Sequence, residues 1–170
     1  MKTLMLVSAV VALAACATLG QQGKSAVANL EPTKGNNASG AVTFTAKGDK
    51  VAMVAKVSGL TPGAHGFHIH EKGDCSSGDG MSAGGHFNPT GKPHGNPALP
   101  DHHAGDMPQL VADASGNASL STQLDVMTIG SGATDIVGKA VIVHKDPDDY
   151  VTQPTGNSGA RVACGIIRPT

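Results

Sequence analysis

The chain has no tryptophan, one tyrosine (Tyr150) and three phenylalanines, so aromatic residues make up only 2% of it. A core built around large rings is excluded, and packing must come from Val, Ile, Leu, Ala and Met. Neither sign of charge dominates, with 12 Lys+Arg against 13 Asp+Glu and a formal net charge of -1. That balance argues against a nucleic-acid partner, which wants a basic stripe. There is no amphipathic helix of useful length, no internal repeat and no low-complexity tract. The apolar run from Leu4 to Ala15 is too short to cross a bilayer. Cysteine is scarce as well, with Cys16, Cys75 and Cys164 the three in the chain.

What is present points elsewhere. A length of 170 residues suits one domain with a sizeable core. Gly 23 and Pro 10 favour turns and long irregular loops. Lys2 followed by the Leu4–Ala15 run reads as an export signal. Leu13-Ala14-Ala15-Cys16 looks like a lipobox that would leave Cys16 lipidated and attach the chain to a membrane. Ala15-Cys16-Ala17 equally fits small-x-small cleavage after Ala17, and both readings stay open. Residues 1–24 are therefore expected to be an export signal with a short tether, and residues 25–170 the domain. With Cys16 assigned to the signal, Cys75 and Cys164 remain as a pair for an oxidising compartment. Closing so long a loop stabilises by about 4–5 kcal/mol in the chain-entropy model.

Strand-like segments follow one another through the domain. Ala41–Lys47 alternates, with Val42, Phe44 and Ala46 on one face, and Val51–Leu60 reads as its partner across the Gly48-Asp49 turn. Gly66–His70, Gln109–Ala114, Ala118–Leu124, Lys139–His144 and Arg161–Ile167 follow. Short strands at this spacing imply an antiparallel sandwich or barrel. Two stretches break the rhythm, Glu71–Pro108 and Lys145–Ala160. Structureless loops of that length are uncommon in a compact domain and usually functional or disordered. The first carries Cys75, four histidines and Asp106, so metal ligation and a disulfide are the expected source of its order.

Eight histidines, clustered between His65 and His144, carry the chemistry. On a strand, His68 and His70 share one face while Phe67 and Ile69 point the other way. His144 ends a strand and can join them in an all-imidazole site, which suits copper. His86, His94, His103 and Asp106 lie in the long loop. Three imidazoles and one carboxylate suit a closed tetrahedral zinc site with no open position for water.

GFHIHEKGDC (Gly66–Cys75), GGHFNP (Gly84–Pro89), HHAGD (His102–Asp106) and GNSGARVACGII (Gly156–Ile167) resemble the copper,zinc superoxide dismutase family. The resemblance covers nearly all of Ser25–Arg168. HHAGDMPQL and DDYVTQPTG are similar to the bacterial periplasmic branch. It implies an all-β fold, an eight-stranded antiparallel Greek-key barrel with two long functional loops. It implies dismutation of superoxide to dioxygen and hydrogen peroxide by a one-electron copper cycle, with one copper and one zinc per chain. Copper would take His68, His70, His86 and His144. Zinc would take His86, His94, His103 and Asp106, with His86 shared between the metals. Arg161 matches the arginine beside copper, and with His86 it would act in catalysis. Asp148 matches the aspartate that ties a copper ligand to a zinc ligand, here His68 and His94; Asp149 is the alternative. His65 matches a position that hydrogen-bonds backbone near the site, and Cys75 and Cys164 match the family's disulfide. His102 has no ligand role and is expected to be exposed. The periplasm is the expected compartment, the superoxide anion the substrate, and monomer and homodimer both stay open.

Overall fold

The computed structural model describes residues 23–170. Cys16 and the expected export signal lie outside the described residues. Nine strand segments run through the domain: β1 (Ser25–Pro32), β2 (Ser39–Lys47), β3 (Lys50–Ser58), β4 (Gly63–His65), β5 (Phe67–His70), β6 (Leu110–Ala112), β7 (Ala118–Leu124), β8 (Ala140–His144) and β9 (Arg161–Pro169). Only Gly66 separates β4 from β5, so the two form one interrupted strand and the nine segments amount to the eight strands expected. The single helical element among the described residues is a 3-10 turn, Met81–Ala83.

Seven strands make one curled antiparallel sheet in the order β5-β8-β9-β1-β2-β3-β7, and β4 pairs with β6 in a two-stranded ribbon. Neighbours such as β3 and β7, or β5 and β8, are distant in sequence, so the chain crosses over as in a Greek key. Strand β2 follows the alternation read from its sequence, with Val42 and Phe44 buried against Met53 and Ala55 of β3. Strand β1 has no counterpart in the sequence reading. Its inward residues, Ala26, Ala28 and Leu30, are mostly alanines, whose small side chains give little hydrophobic contrast with Val27 and Asn29. All three phenylalanines, Phe44, Phe67 and Phe87, pack in the main core.

Strand β8 is buried at all five positions, which simple alternation does not predict. One face, Val141 and Val143, packs in the barrel core with Phe67, Ile69 and Ala163. The other face, Ala140 and Ile142, joins Ala83 and Cys164 in a separate small cluster against Cys75. The 71–109 loop thus covers the outer face of β5, β8 and β9, and the Cys75–Cys164 disulfide fastens it there. The site is built between that sheet face and that loop.

Candidate metal centre

His68 and His70 stand on β5 and are fully buried. Cross-strand partners share a face of the sheet. His68 lies opposite Ile142 and His70 opposite Ala140, so both histidines belong to the outer face. His144, at the end of β8, completes this side. Between Val143 and His144 the pairing with β9 shifts: Val143 faces Ala163, but His144 faces Arg161. Val162 is the extra residue of this β-bulge, and it turns into the core. Without the bulge, alternation would send Arg161 inward. With it, Arg161 joins His144 on the site face, the re-aiming for which bulges are known.

Hydrogen bonds to a carboxylate or to backbone carbonyls use one ring nitrogen of each of these histidines. His68 donates through Nε2 to Asp148 Oδ2 at 2.6 Å. His70 Nδ1 donates to the Gly84 carbonyl at 2.9 Å and His144 Nδ1 to the Gly159 carbonyl at 3.2 Å. The remaining nitrogens are His68 Nδ1, His86 Nε2, His70 Nε2 and His144 Nε2. The last two face each other at 3.4 Å, with neither carrying a proton when both Nδ1 atoms donate. His68 Nδ1 and His86 Nε2 are buried with no hydrogen-bond partner. Buried polar atoms without a partner are rare, because each costs its full desolvation. The four residues can bring ligand atoms within 4.8 Å of one another. Four inward lone pairs in a buried pocket match a soft-to-borderline cation.

The other group is carried by the loop. His86, His94, His103 and Asp106 likewise offer ligand atoms within 4.8 Å of one another. Their Nδ1 atoms converge on one carboxylate oxygen, Asp106 Oδ1, at 2.9 Å from His86, 3.0 Å from His94 and 3.5 Å from His103. The second oxygen, Asp106 Oδ2, accepts the backbone N–H groups of Gly95 at 3.1 Å and His103 at 2.9 Å, which fixes the carboxylate plane. His86 belongs to both groups, with Nδ1 toward Asp106 and Nε2 toward the strand-borne side. His94 Nε2 reaches Asp148 Oδ1 at 3.0 Å, so Asp148 joins His68 to His94 across the two groups. At Gly156 (φ +68) a Cβ would collide with Asp148 Oδ1 and come within 2.6 Å of His94 Nε2, so only glycine fits.

The two groups differ electrically. Burial holds the strand-borne imidazoles neutral: His144 is pushed down to about 3, His70 well below its ordinary value, and His68 downward against the pull of Asp148. Burial also lowers the shared His86, to about 4. Burial acts on His94 in the same sense, but the carboxylates of Asp106 and Asp148 overcome it and raise it to about 9. Both carboxylates in turn lie below their usual range, because the histidine hydrogen bonds outweigh their desolvation. One site is a neutral lone-pair cage; the other is built around a fixed negative charge.

Every ligand candidate read from the sequence falls in one of these groups. Asp148 is the bridging aspartate, whereas Asp149 is exposed and accepts the N–H groups of Val151 and Thr152. His65 Nδ1 meets the His144 carbonyl and Nε2 the Thr61 carbonyl, both at 2.8 Å, which pins β4 beside the site. The Arg161 guanidinium donates to the carbonyls of Gly80 at 2.7 Å and Gly84 at 2.6 Å. His102 corrects the expectation of exposure: it is 5% exposed, with Nδ1 donating to the His103 carbonyl at 2.7 Å. The turn that brings His103 and Asp106 inward carries its neighbour under cover too. Two glutamines, Gln109 and Gln153, also touch the site's backbone, and a lone glutamine carries no ligand signature in the sequence.

The donor sets fit the two ions expected, an all-imidazole cage for copper and a three-imidazole, one-carboxylate set for zinc. The family model for copper/zinc superoxide dismutase matches residues 38–167. The chain belongs to that family. Among solved structures it is similar to the clock protein EA4, with a TM-score of 0.78 and 40% sequence identity, over 86% of this chain and 95% of that one.

Proposed function

We propose that this protein dismutates superoxide, converting two superoxide anions and two protons into dioxygen and hydrogen peroxide. His68, His70, His86 and His144 would hold copper, and His86, His94, His103 and Asp106 would hold zinc. Copper supplies a one-electron redox couple, which zinc lacks. The observation that carries the reading is the division of His86, one nitrogen toward each group, with its Nε2 buried and without a partner.

The residues divide the work. His70 and His144 are oriented by backbone carbonyls, so each presents a neutral Nε2 lone pair. His68 is oriented by Asp148 and presents Nδ1. His86 Nε2 is the atom placed to hold a proton and hand it to the departing peroxide. Arg161 keeps its charge at any working pH, and two carbonyls fix its fork, which suits it to receive a small anion. The closed second group orients His86 and orders the long loop.

We further propose that the chain belongs to the bacterial periplasmic branch and acts in the cell envelope. Residues 1–24 would direct export, with Cys16 lipidated. Cys16→Ser should then move the protein from the membrane fraction to the soluble one; an unchanged distribution with no palmitate label on the wild type would favour cleavage after Ala17.

The activity is tested by superoxide consumption of the protein loaded with both metals, with and without a copper chelator. Consumption should vanish on chelation and return with copper but not with zinc. A chain that binds both ions and consumes no superoxide would be a metal-storage domain instead.

A further inference from the structure

Two glutamine side chains grip the backbone at the two ends of the Asp148–His94 hydrogen bond. Gln153 Oε1 accepts the His94 N–H at 2.9 Å and its Nε2 donates to the His94 carbonyl at 2.8 Å. Gln109 Oε1 accepts the Asp148 N–H at 3.1 Å and its Nε2 donates to the Asp148 carbonyl at 3.1 Å. The backbone of Gln109 is itself tied down, its N–H donating to the Tyr150 hydroxyl at 3.1 Å. The Tyr150 N–H donates to Asp148 Oδ1 at 2.7 Å.

This arrangement answers a need that the loops create. His94 and Asp148 stand outside every strand, so their peptide groups have no ladder partners. Buried peptide groups require some partner. A primary amide is the one side chain that offers an acceptor and a donor side by side, as a neighbouring strand would. Each glutamine therefore supplies a single rung of β-pairing where no strand runs. Gln109 precedes β6, and Gln153 lies in the 145–160 loop, so each clamp fastens one loop to another part of the chain.

We propose that Gln109 and Gln153 are positioning residues of the metal centre: they hold the His94 ring and the Asp148 carboxylate in register, and so set how tightly the loop-borne group binds its ion. The inference rests on that group being a zinc site. Groups beyond the ligands commonly change metal affinity by roughly 10- to 100-fold when removed. Each clamp acts one step further out, through backbone, so we expect about 10-fold weaker binding for Gln109→Met or Gln153→Met and more for the pair. Met keeps the length of the side chain and removes both hydrogen bonds. Gln→Glu should be at least as harmful, because a carboxylate oxygen then faces the backbone carbonyl.

The test measures Zn(II) affinity by chelator competition and the visible spectrum of Co(II) at the same site, in the full chain. The Met variants should weaken Zn(II) and shift the Co(II) bands, while Gln123→Met, an exposed glutamine on β7, changes neither. Amide exchange of the metal-free chain adds a readout free of any ion: the His94 and Asp148 amides should be protected, and each should lose protection only when its own glutamine is replaced. Loss of protection in the β2–β3 amides would identify a folding failure, and the wild-type protection pattern then decides. If wild type binds Zn(II) and the variants bind it equally with unchanged Co(II) bands, the positioning role is overturned. If wild type binds neither ion at the loop-borne group, the zinc assignment itself falls, and this inference with it.

Discussion

His68, His70 and His144 stand on two paired strands, whereas His94 and His103 stand on a loop outside every strand, which meets β5 only at the single bridges His68–Asp106 and His70–His86. The strand-borne histidines inherit their positions from sheet register, and each needs only one further hydrogen bond to set its ring. The loop-borne group is held by everything else: a carboxylate taking three imidazoles on one oxygen and two backbone N–H groups on the other, the Asp148 bridge and the glutamine clamps. A rigid sheet can present neutral ligands and leave lone pairs unmatched. A loop held by single bridges to β5, side-chain hydrogen bonds and a disulfide gathers its ligands around a charge of its own.

The sharpest way to break that division is His86, the one residue in both groups. His86→Ala should abolish superoxide consumption and weaken both ions, by more than the roughly 100-fold that outer groups cost. Metal analysis with chelator competition would check it, and loss of one ion alone would show that the groups are independent. Asp106→Ala comes next. It should release zinc and loosen the 71–109 loop, seen as faster amide exchange there, while copper still binds His68, His70 and His144. Equal loss of both ions would show that the sheet does not hold its side unaided.

Arg161 stands on β9, and its guanidinium is held by two carbonyls of the 71–109 loop. A fixed guanidinium about 5 Å from a bound anion contributes roughly 1–3 kcal/mol at an effective dielectric near 20. Arg161→Ala should therefore lower kcat/KM by about 10- to 100-fold with both metals in place, since each 1.4 kcal/mol is tenfold. Arg161→Lys should keep part of the rate, and added salt should slow the wild type more than the Ala variant. Equal kcat/KM for wild type and Arg161→Ala at low ionic strength would remove Arg161 from anion recognition.

The smallest effect is the pH dependence of the chelated protein, where the two groups pull oppositely. Burial lowers His86 to about 4 and His144 to about 3, so the folded chain binds these protons less readily than the unfolded chain does. They cost nothing above about pH 6.5, and stability falls as the pH drops below it. His94, raised to about 9 by Asp106 and Asp148, binds its proton more tightly when folded. Its contribution is complete below about pH 6.5 and is lost as the pH rises through 9. The thermal midpoint in chelator should peak between these limbs, and His94→Gln should flatten only the alkaline one. An alkaline limb unchanged in that variant would show that the carboxylates do not hold the His94 proton.

Much of this was legible in the sequence. A period of two places His68 and His70 on one face whatever surrounds them, and every ligand in both groups carries its own chemical signature. Strand β1 was hidden because Ala26 and Ala28 mark an inward face weakly. The burial of His102 was hidden because nothing in HHAGD distinguishes a covered imidazole from an exposed one. Asp148 and Asp149 are adjacent and alike; only the path of the 145–160 loop turns Asp148 inward.

The ligand types, the two long loops and the antiparallel β class can be read from the chain alone, because composition and short-range periodicity are local properties. Long-range packing sets the rest: a bulge at Val162 brings Arg161 to the site face, His86 divides its nitrogens between two groups, and Gln109 and Gln153 reach the backbones of Asp148 and His94. Each of these depends on the register and direction of segments far apart in the chain. No local pattern encodes a side chain's direction once the strand or loop carrying it is positioned by a distant partner.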